Sequence, residues 1–582
     1  MKKKLLEVKN LELSFGNDDS YFKALKNISF DIYPNETVSI VGESGSGKSV
    51  TAMGVMSLIQ KAGGNIENGS IIFDEKYNMV NIEEEKARRI RGNMISMIFQ
   101  EPMTSLNPVF TVGEQILEAL ITHKNVSKEK GKQMVIEAMK EVKIAQAEKR
   151  FSQYPHELSG GMRQRIMIAM ALVCEPKLLI ADEPTTALDV TIQAQILWLI
   201  KQLKENHGTA VMFITHDLGV VAQISDRVVV MKRGSIIETG TVNQIYNNPE
   251  DPYTKNLIDS VPKLGNEHQK LYREENEFIL EFNNVTVKYP VRRGILNNVT
   301  TELCAVDRAN FKIKEGQTLG IVGESGCGKS TIAKTVAGLV KPESGEIILD
   351  GTNTLNLKGK DLQNFKKNIG MIFQDPFASL SPRRTAAQQI SEPLEIHNAG
   401  SKKFIQERVE WLINKVGLDN SHLYRYPHEF SGGQRQRLSI ARALALEPKL
   451  VIADEPVSAL DVSVQETVLE LFEDLQKELK LTYIFISHDL SVIEKISDWV
   501  AVMYFGRIVE SGKVKDVLRK TKHDYTKNLI KSVPTPDPNI KMTQPKMFSE
   551  IKSDLLLKKG YQFEEDLQYD DNLENHRMLL SS

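Results

Sequence analysis

The sequence GESGSGKS occupies residues 42–49 and directly follows ETVSIV, an apolar and β-branched run at residues 36–41. A strand, a glycine-rich loop and a helix in this order predict a phosphate-binding loop. The glycines let backbone N–H groups turn toward an anion, and the helix adds the positive end of its dipole. Lys48 is placed to reach the outer phosphates of a nucleotide, and Ser49 is placed to ligate Mg²⁺.

The same loop returns as GESGCGKS at residues 323–330, again after an apolar run, QTLGIV. Two copies in the same context make a chance glycine-rich turn a poor explanation. Ser46 and Cys327 occupy equivalent positions at which the backbone does the binding. A small side chain therefore suffices there, and Cys327 need not be catalytic.

The duplication extends well beyond the loop. YPHELSGGMRQR at 154–165 matches YPHEFSGGQRQR at 426–437, and the later matches IADEP, ITHDL/ISHDL and YTKNLI keep the same offset of 272 residues. A duplicated domain, and not a solenoid, accounts for two copies. The boundaries predicted from these matches are a first nucleotide-binding domain over 1–262, a linker over 263–276, a second nucleotide-binding domain over 277–534, and a tail over 535–582.

The tail has no counterpart in the first half of the chain. Between Glu564 and Glu574 it carries six acidic residues and no basic residue. We expect this acidic tail to be solvated and partly disordered, since such charge runs bury little apolar surface.

Composition narrows the class of protein. The 582 residues are 41% hydrophobic and 26% charged, with a net charge of −2, which is typical of a soluble globular chain and argues against nucleic acid as a partner. The sequence contains no run of 18 or more apolar residues, so no membrane span is predicted. Action at a membrane would therefore require other subunits. The three cysteines are widely spaced and form no zinc pattern, which indicates free thiols in a reducing compartment.

Two predicted strands end in paired carboxylates, LLIADE at 178–183 and LVIADE at 450–455. Open α/β sheets bind ligands at the carboxyl ends of their strands. The first acid of each pair suits Mg²⁺, directly or through water, and the second is placed to polarise an attacking water. The pairs are Asp182 with Glu183, and Asp454 with Glu455.

A histidine follows each of two further apolar runs, His216 after VMFIT and His488 after YIFIS. A lone histidine at a strand end is more often structural. Because both recur at the offset of the acid pairs, a role near the terminal phosphate is favoured.

SGG at 159–161 and at 431–433 stands at the start of a predicted helix. The serine hydroxyl and the exposed amides form a second anion-binding surface. Each copy lies far in sequence from its own phosphate loop, so it is placed to serve the nucleotide of the other domain.

Together these motifs resemble the ATP-binding cassette (ABC) superfamily, over nearly all of residues 4–534. The resemblance implies an α/β fold with two tandem P-loop NTPase domains. Each domain would have a RecA-like core, an antiparallel β subdomain and a helical subdomain, the latter roughly at 101–175 and 375–447.

The resemblance also assigns roles. Phe15 and Tyr289 look like the aromatic residue that stacks on adenine, and Gln100 and Gln374 look like the Q-loop glutamine. LSGGM and FSGGQ look like the signature motif, and ALD, ending at Asp189 and at Asp461, looks like the D-loop. The implied ATP-binding residues are Phe15, Gly42, Ser44, Gly45, Gly47, Lys48, Ser49, Val50, Gln100, Ser159, Gly160, Gly161, Asp189, Tyr289, Gly323, Ser325, Gly326, Gly328, Lys329, Ser330, Thr331, Gln374, Ser431, Gly432, Gly433 and Asp461. The implied Mg²⁺ ligands are Ser49, Gln100, Asp182, Ser330, Gln374 and Asp454. The implied catalytic residues are Glu183, His216, Glu455 and His488.

In this family two domains close head to tail on two ATP molecules, here within one chain. Lys48 would work with Ser431 and Gly433, and Lys329 with Ser159 and Gly161. Both sites keep the full motif set. The departures are small: Met162 replaces the usual signature glutamine, and Val50 stands where the second copy has Thr331.

A narrower resemblance is to the ATPase subunits of dipeptide, oligopeptide and nickel importers, with two subunits fused. It rests on QEPMTSLNP and QDPFASLSP, on YPHELSGG, and on the closing segments DPYTKNLIDSVP and HDYTKNLIKSVP, within 248–262 and 520–534. It implies two permease subunits, an extracytoplasmic solute-binding protein and a position at the cytoplasmic face of the membrane. No cysteine follows Cys327, so the iron–sulfur site of some relatives is not expected.

The predicted function is an ATPase that powers the import of di- or oligopeptides. The alternatives are nickel or another metal chelate and glutathione as cargo. A ribosome-associated tandem cassette is a weaker alternative, because the linker of about 14 residues is short for the charged helical arm of that family. An exporter ATPase is disfavoured by the closing segments.

Overall fold

The structure is a computed structural model. It describes residues 3–16, 21–100, 105–185, 188–261, 265, 276–293, 298–458, 460–545, 555–558, 560–561, 567–573 and 576–580. The predicted linker and parts of the predicted tail lie largely outside the described residues. The described residues within 3–261 form the first domain. Those within 276–580 form the second domain, which here includes the described part of the predicted tail.

The described residues of the first domain form ten strands in two sheets. They are β1 (Leu6–Phe15), β2 (Phe22–Ile32), β3 (Thr37–Val41), β4 (Gly64–Phe73), β5 (Tyr77–Asn78), β6 (Ile95–Ile98), β7 (Leu178–Asp182), β8 (Ala210–Ile214), β9 (Arg227–Lys232) and β10 (Ser235–Thr241). An antiparallel sheet has the order β2-β1-β4-β5, and the core sheet has the order β10-β9-β3-β8-β7-β6. In the core sheet β6, β7, β8, β3 and β9 run parallel and β10 is the antiparallel edge.

The helices of the first domain cover the core sheet and build a separate layer between β6 and β7. They are Lys48–Val55, Glu84–Ile90, Val112–His123, Lys128–Glu141, Ala147–Arg150, Gly160–Leu172, Val190–His207, Leu218–Ile224, Val242–Asn247 and Pro252–Asp259, with 3₁₀ turns at Gln60–Ala62 and Pro155–Glu157. The layer between β6 and β7 starts at Thr111, whose side chain forms a reciprocal capping box with Glu114.

The second domain repeats this plan. Its strands are β11 (Phe278–Arg293), β12 (Asn298–Lys314), β13 (Thr318–Val322), β14 (Ser344–Leu349), β15 (Thr352–Asn353), β16 (Ile369–Ile372), β17 (Leu450–Asp454), β18 (Thr482–Ile486), β19 (Trp499–Tyr504), β20 (Arg507–Lys513), β21 (Leu556–Lys558), β22 (Tyr569–Leu573) and β23 (His576–Leu579). Its helices are Lys329–Val336, Gly359–Lys367, Pro376–Ser379, Ala386–Ile396, Lys402–Lys415, Gly432–Ala443, Val462–Leu479, Leu490–Ile496, Val514–Arg519 and Asp524–Lys531, with 3₁₀ turns at Asn420–Tyr424 and Pro427–Glu429.

The strands that carry the motifs are buried on both faces. Every residue of β3, β7 and β8 is buried, and the same holds for β13, β17 and β18. Such continuous apolar runs are what a parallel sheet covered by helices requires. The parallel register places the carboxyl ends of these strands side by side, so the residues that follow them meet at one edge. The predicted α/β class, with antiparallel and helical subdomains in each half, is confirmed.

The described part of the tail departs from the solvated, partly disordered segment predicted. Strand β21 pairs with β12, and β23 pairs with β20, so the two sheets of the second domain have the orders β15-β14-β11-β12-β21 and β16-β17-β18-β13-β19-β20-β23-β22. The apolar side chain of Leu579 and the imidazole of His576 are buried. The unpaired backbone groups at the edge of a sheet can bind another strand. The acidic composition of the tail gives no indication of the few residues that anchor it.

Candidate functional site

The two phosphate loops have the same internal geometry. The Lys48 ammonium donates to the carbonyl oxygens of Gly42 (2.6 Å) and Glu43 (2.9 Å). Lys329 donates to Gly323 (2.6 Å) and Glu324 (3.1 Å). Both side chains are buried, and burial lowers the pKa of Lys48, against the opposing effect of Glu183 and other carboxylates.

Glycine is required at two positions of the first loop. Gly42 has φ +150°, and a Cβ there would lie 2.1 Å from the carbonyl oxygen of Met231. Gly47 has φ +103°, in the left-handed region that favours glycine, and a Cβ would lie 2.7 Å from Leu25. Gly47 is therefore the N-cap residue of helix Lys48–Val55, and no side-chain hydrogen bond caps the first turn of this helix. An uncapped helix N-terminus behind a glycine loop fits a phosphate group.

The loop serine reaches the first acid of the β7 or β17 pair. Ser49 Oγ donates to Asp182 Oδ1 at 3.1 Å, and Ser330 Oγ donates to Asp454 Oδ1 at 3.1 Å. Burial raises the pKa of Asp182 to about 6, against the hydrogen bond from Ser49. Burial likewise raises the pKa of Asp454.

These two oxygen groups fit Mg²⁺, which prefers hydroxyl and carboxylate oxygens and completes its shell with water and substrate phosphates. Among the residues described, no group of three or more His, Cys, Asp or Glu is arranged to hold a metal ion. A site with one serine and one aspartate leaves the remaining positions to phosphate oxygens.

The second acid of each pair is held by two side chains. In the first domain Gln100 Nε2 donates to Glu183 Oε2 at 2.9 Å, and His216 Nδ1 lies 3.1 Å from Glu183 Oε1. In the second domain Gln374 Nε2 donates to Glu455 Oε2 at 3.0 Å, and His488 Nδ1 lies 3.2 Å from the same oxygen. The predicted glutamine, acid and histidine are thus brought together in both halves.

The electrostatics of the acid–histidine pairs favour the charged forms. Burial opposes protonation of His216 and His488, but their hydrogen bonds to Glu183 and Glu455 raise the pKa of each imidazole on balance. Burial likewise acts to raise the pKa of Glu455, and the hydrogen bond to His488 lowers it on balance.

The backbone at the two glutamates is strained, which sequence reasoning did not predict. Glu183 has φ 46° and Glu455 has φ 47°, in the left-handed region that residues with a Cβ rarely adopt. The N–H of Glu183 donates to the carbonyl of Ile214 at 2.8 Å, and that of Glu455 donates to Ile486 at 3.0 Å. The carboxylates of these same two residues contact the glutamine and the histidine, and backbone outliers of this kind cluster at functional sites.

The SGG motifs start helices as predicted. Ser159 and Ser431 are the N-caps of helices Gly160–Leu172 and Gly432–Ala443, and each hydroxyl accepts from a backbone N–H at 3.3 Å. In the second domain the Gln434 side chain also accepts from Ser431 N–H at 3.0 Å, a bond that Met162 does not make in the first. Gly160 has open space where a Cβ would be, so a ligand can approach its backbone.

The predicted D-loop aspartates cross to the opposite domain. Asp189 Oδ1 accepts from the backbone N–H (2.6 Å) and the hydroxyl (2.8 Å) of Ser325. Asp461 Oδ1 accepts from the backbone N–H of Ser44 at 3.1 Å. Each phosphate loop is therefore in contact with the segment that follows the carboxylate pair of the other domain.

The signature helix is tied to that crossing segment. A Cβ on Gly161 would lie 2.9 Å from Ile192, and one on Gly433 would lie 2.4 Å from Val464. Both partners lie in the helix that begins just after the D-loop aspartate. The SGG of each domain therefore packs against the element that reaches the other domain's phosphate loop.

A cavity of about 160 Å³ lies between the domains, lined by His216 and Asp217 from one and His488 and Asp489 from the other. The closing segment of the second domain covers its rim. A Cβ on Gly219 would lie 2.6 Å from the carbonyl oxygen of Pro534, so that segment packs directly on the helix that follows His216.

Four other residues assigned to ATP have no described side-chain contact with the loops. Phe15 ends β1, opposite Gly64 of β4, and Tyr289 lies on β11, opposite Leu303 of β12. Val50 and Thr331 are partly buried in the helices after the loops. Their assignment to ATP remains a prediction.

Sequence reasoning missed the hydroxyls that touch the loops. Tyr253 OH accepts from Glu43 N–H (3.4 Å), and Tyr525 OH accepts from Glu324 N–H (3.1 Å). Both belong to the repeated YTKNLI, so the repetition was the available signal. Thr191 Oγ1 donates to Glu324 Oε1 at 2.6 Å across the domains, and no motif marked it.

No helix in the described part of the chain is both long enough and apolar enough to span a membrane. Two family models match the chain. The one described as "ABC transporter" matches residues 25–186 and 306–458. The one described as "Oligopeptide/dipeptide transporter, C-terminal region" matches residues 237–282 and 509–564, which include both YTKNLI segments.

Curated relatives align along almost the whole chain. The glutathione import ATP-binding protein GsiA of Pectobacterium atrosepticum is 47% identical over 92% of this chain and 90% of its own. GsiA of Escherichia coli K12 is 47% identical over 94% of this chain and 92% of its own. A solved dimeric cassette, MJ0796 bound to ADP and Pi, is 30% identical over 40% of this chain and 98% of its own, with a TM-score of 0.37.

Two matched cassettes, and relatives that share nearly half of their residues over nine-tenths of both chains, establish the family. The chain belongs to the ABC transporter ATPases and carries two ATP-binding cassettes in tandem.

Proposed function

We propose that this chain powers an importer of short peptides and that glutathione, a tripeptide, is its leading cargo candidate. One observation carries the proposal: relatives 47% identical over nine-tenths of both chains are named for glutathione import. The closing segments support peptides more broadly, since they match an oligopeptide and dipeptide transporter region. Nickel and other metal chelates are the second candidate class of cargo, because the sequence motifs also resemble those of nickel importers.

In the proposed hydrolysis the glutamate of each site orients and polarises the attacking water. Glu183 and Glu455 are held in place by a glutamine and a histidine at 2.9–3.2 Å. Against the effect of burial, the hydrogen bonds to Glu183 and Glu455 raise the pKa of His216 and His488, which favours protonation of the imidazole. A protonated imidazole would compensate charge near the terminal phosphate. Lys48 and Lys329 would exchange their carbonyl partners for phosphate oxygens.

Mg²⁺, when bound, would neutralise phosphate charge. Ser49 with Asp182, and Ser330 with Asp454, are the residues proposed to hold it, with Gln100 and Gln374 at the edge of each site. This donor set suits a hard divalent cation bound mainly through oxygen.

Each ATP would lie between the phosphate loop of one cassette and the SGG of the other. The contacts of Asp189 with Ser325 and of Asp461 with Ser44 support this intramolecular head-to-tail pairing. Lys48 would act with Ser431 and Gly433, and Lys329 with Ser159 and Gly161. The domain boundaries at 262, 276 and 534 are part of the same proposal.

The permeases would dock near the Q-loop glutamines. Exposed apolar side chains surround both glutamines in sequence: Phe99, Val109 and Phe110 near Gln100, and Phe373 and Phe377 near Gln374. Large exposed apolar side chains in these two stretches of sequence support a docking surface there. Two permease subunits and a solute-binding protein complete the proposed transporter, with this chain peripheral at the cytoplasmic face.

Uptake by cells that lack the gene tests the proposal. Labelled glutathione, di-, tri- and pentapeptides and nickel are supplied, with complementation by the wild-type chain or by Glu183→Gln/Glu455→Gln. Loss of glutathione uptake that only the wild-type chain restores is the expected result. Loss of other peptides alone would assign a different peptide cargo, and loss of nickel alone would assign the metal branch. Unchanged uptake of the whole panel would overturn import as the function.

A further inference from the structure

Glu324, in the second phosphate loop, is contacted from two directions. Its backbone N–H donates to the hydroxyl of Tyr525 at 3.1 Å. Its carboxylate accepts from the hydroxyl of Thr191 in the other cassette at 2.6 Å. One residue of the loop therefore joins the closing segment of its own cassette to the opposite cassette.

Tyr525 is a rigid support for the loop. It belongs to helix Asp524–Lys531 of the closing segment and is 1% exposed. Its ring centroid lies 4.2 Å from that of Tyr504, which ends strand β19. A packed tyrosine of this kind cannot follow a moving loop, so its hydroxyl fixes the position of the Glu324 backbone.

Thr191 is equally fixed on the other side. It lies in the first turn of helix Val190–His207, is 2% exposed, and follows Asp189 by two residues. Asp189 accepts a hydrogen bond from Ser325, and Thr191 donates one to Glu324. Two consecutive loop residues are therefore hydrogen-bonded to one short segment of the first cassette. Separation of the cassettes would break both contacts.

Because Glu324 is partly shielded from solvent, its carboxylate depends on the hydrogen bond from Thr191. Glu324 is partly buried, and burial together with the nearby Asp189 charge raises the pKa of its carboxyl, against the hydrogen bond from Thr191. A buried carboxylate depends on its donors, because a charge without partners is costly to bury. Loss of the Thr191 hydroxyl would therefore shift the side chain and the loop that carries it.

We propose that Glu324 is a positioning residue that couples closure of the two cassettes, through Thr191, and the closing segment, through Tyr525, to the phosphate loop of Lys329. The proposal rests on the proposed role of that loop in ATP hydrolysis. Glu324 touches no reacting atom in this scheme. It sets the loop geometry in the closed state, so it affects turnover more than initial ATP binding.

The first cassette supplies a matched comparison. Glu43 is the counterpart of Glu324, and its N–H donates to Tyr253 OH at 3.4 Å, a longer bond than in the second cassette. Tyr253 is also less buried than Tyr525, with the Lys232 ammonium 4.1 Å from its ring centroid. Removal of the Tyr253 hydroxyl is therefore expected to cost less than removal of the Tyr525 hydroxyl.

The test is a double-mutant cycle on the full-length chain with Thr191→Val, Glu324→Ala and the combination. We expect each single variant to lower kcat for ATP hydrolysis about tenfold, the scale of one lost charge-assisted hydrogen bond, with KM for ATP changed less than about twofold. The double variant should be no slower than the slower single variant, because both remove one contact. Thr191→Ser, which keeps the hydroxyl, should restore turnover.

Tyr525→Phe should lower kcat more than Tyr253→Phe does. Effects of Thr191→Val and Glu324→Ala that multiply, a normal kcat in Thr191→Val, or a failure of Thr191→Ser to restore turnover would each overturn the proposal. Glu455→Gln is measured in parallel. If Glu455→Gln leaves ATP hydrolysis unchanged, the proposed role of this site in hydrolysis is wrong, and with it the basis for the role of Glu324. If it abolishes hydrolysis and Thr191→Val does not slow it, only the positioning role of Glu324 fails.

Discussion

Glu183 and His216 are hydrogen-bonded, with His216 Nδ1 3.1 Å from Glu183 Oε1, and both side chains sit largely out of solvent. The second cassette repeats the pair, with Glu455 and His488 at 3.2 Å. Two equivalent pairs, each completed by a glutamine, support the proposal that both sites hydrolyse ATP.

Replacement of both glutamates by glutamine is therefore expected to slow ATP hydrolysis at least about a hundredfold, because one electrostatic group at such a site contributes roughly 3 kcal/mol. ATP binding should persist, since Lys48, Lys329 and the loops remain. Steady-state phosphate release and binding of a fluorescent ATP analogue measure the two quantities. Glu85→Gln, on an exposed helix, is the control. A double variant that hydrolyses ATP at the wild-type rate would refute the role of both acids.

A second prediction concerns Cys327, which occupies the place of Ser46 in the duplicated loop. Burial raises the pKa of its thiol to about 11, so the thiolate fraction at pH 8 is about one in a thousand. Alkylation of Cys327 in the native chain should be slow and should rise about tenfold for each pH unit below pH 11. Mass spectrometry after treatment with iodoacetamide measures it, with the chain unfolded in urea as the control. Rapid native labelling at pH 7 would contradict the buried environment.

The motif residues were predictable from sequence because they are local. The loop, the acid pair and the histidine each follow a short apolar run, and a parallel sheet brings the carboxyl ends of such runs together. The partners across the domains were not predictable. Asp189 was assigned to ATP from the resemblance alone, and its bond to Ser325 of the other cassette depends on how two folded surfaces meet. The left-handed backbone of Glu183 leaves no mark in the sequence.

The described part of the tail is a case in which the composition led to a wrong expectation. Acidic composition predicts solvation, yet strands β21 and β23 pair with β12 and β20. Strand addition uses backbone groups, which composition does not report. The buried contact of His576 with Glu510 spans 66 residues and depends on an edge strand left open by the rest of the fold.

A third prediction concerns permease docking. Phe110 and Phe377 are 52% and 55% exposed near the two Q-loop glutamines. Changing either to Ser should impair uptake in cells while ATP hydrolysis by the isolated chain stays within about twofold of wild type, because neither residue belongs to the proposed ATP sites. Tyr21→Ser, at an exposed position directly before β2, is the control. Normal uptake in the Phe110→Ser/Phe377→Ser double variant would show that the permeases bind elsewhere.

The last prediction concerns the anchor of the tail. Glu510 is fully buried and accepts from the Thr521 hydroxyl (2.9 Å) and Lys522 N–H (2.8 Å), and His576 Nε2 lies 2.7 Å from its carboxylate. Its counterpart Glu238 in the first cassette is more exposed and accepts from the N–H groups of residues 250 and 251. The tail thus adds a buried imidazole to a carboxylate that already caps the closing segment.

His576→Ala should lower the free energy of unfolding of the second domain by about 2 kcal/mol, because a buried carboxylate loses one of its partners. The remaining bonds to residues 521 and 522 should keep the domain folded, so the tail should detach and become open to protease. Thermal unfolding and limited proteolysis with C-terminal mass analysis measure both effects, and His156→Ala, on an exposed turn, is the control. If the tail of His576→Ala resists protease as the wild type does, His576 is not its anchor, and the strand pairing of β23 with β20 alone must hold it.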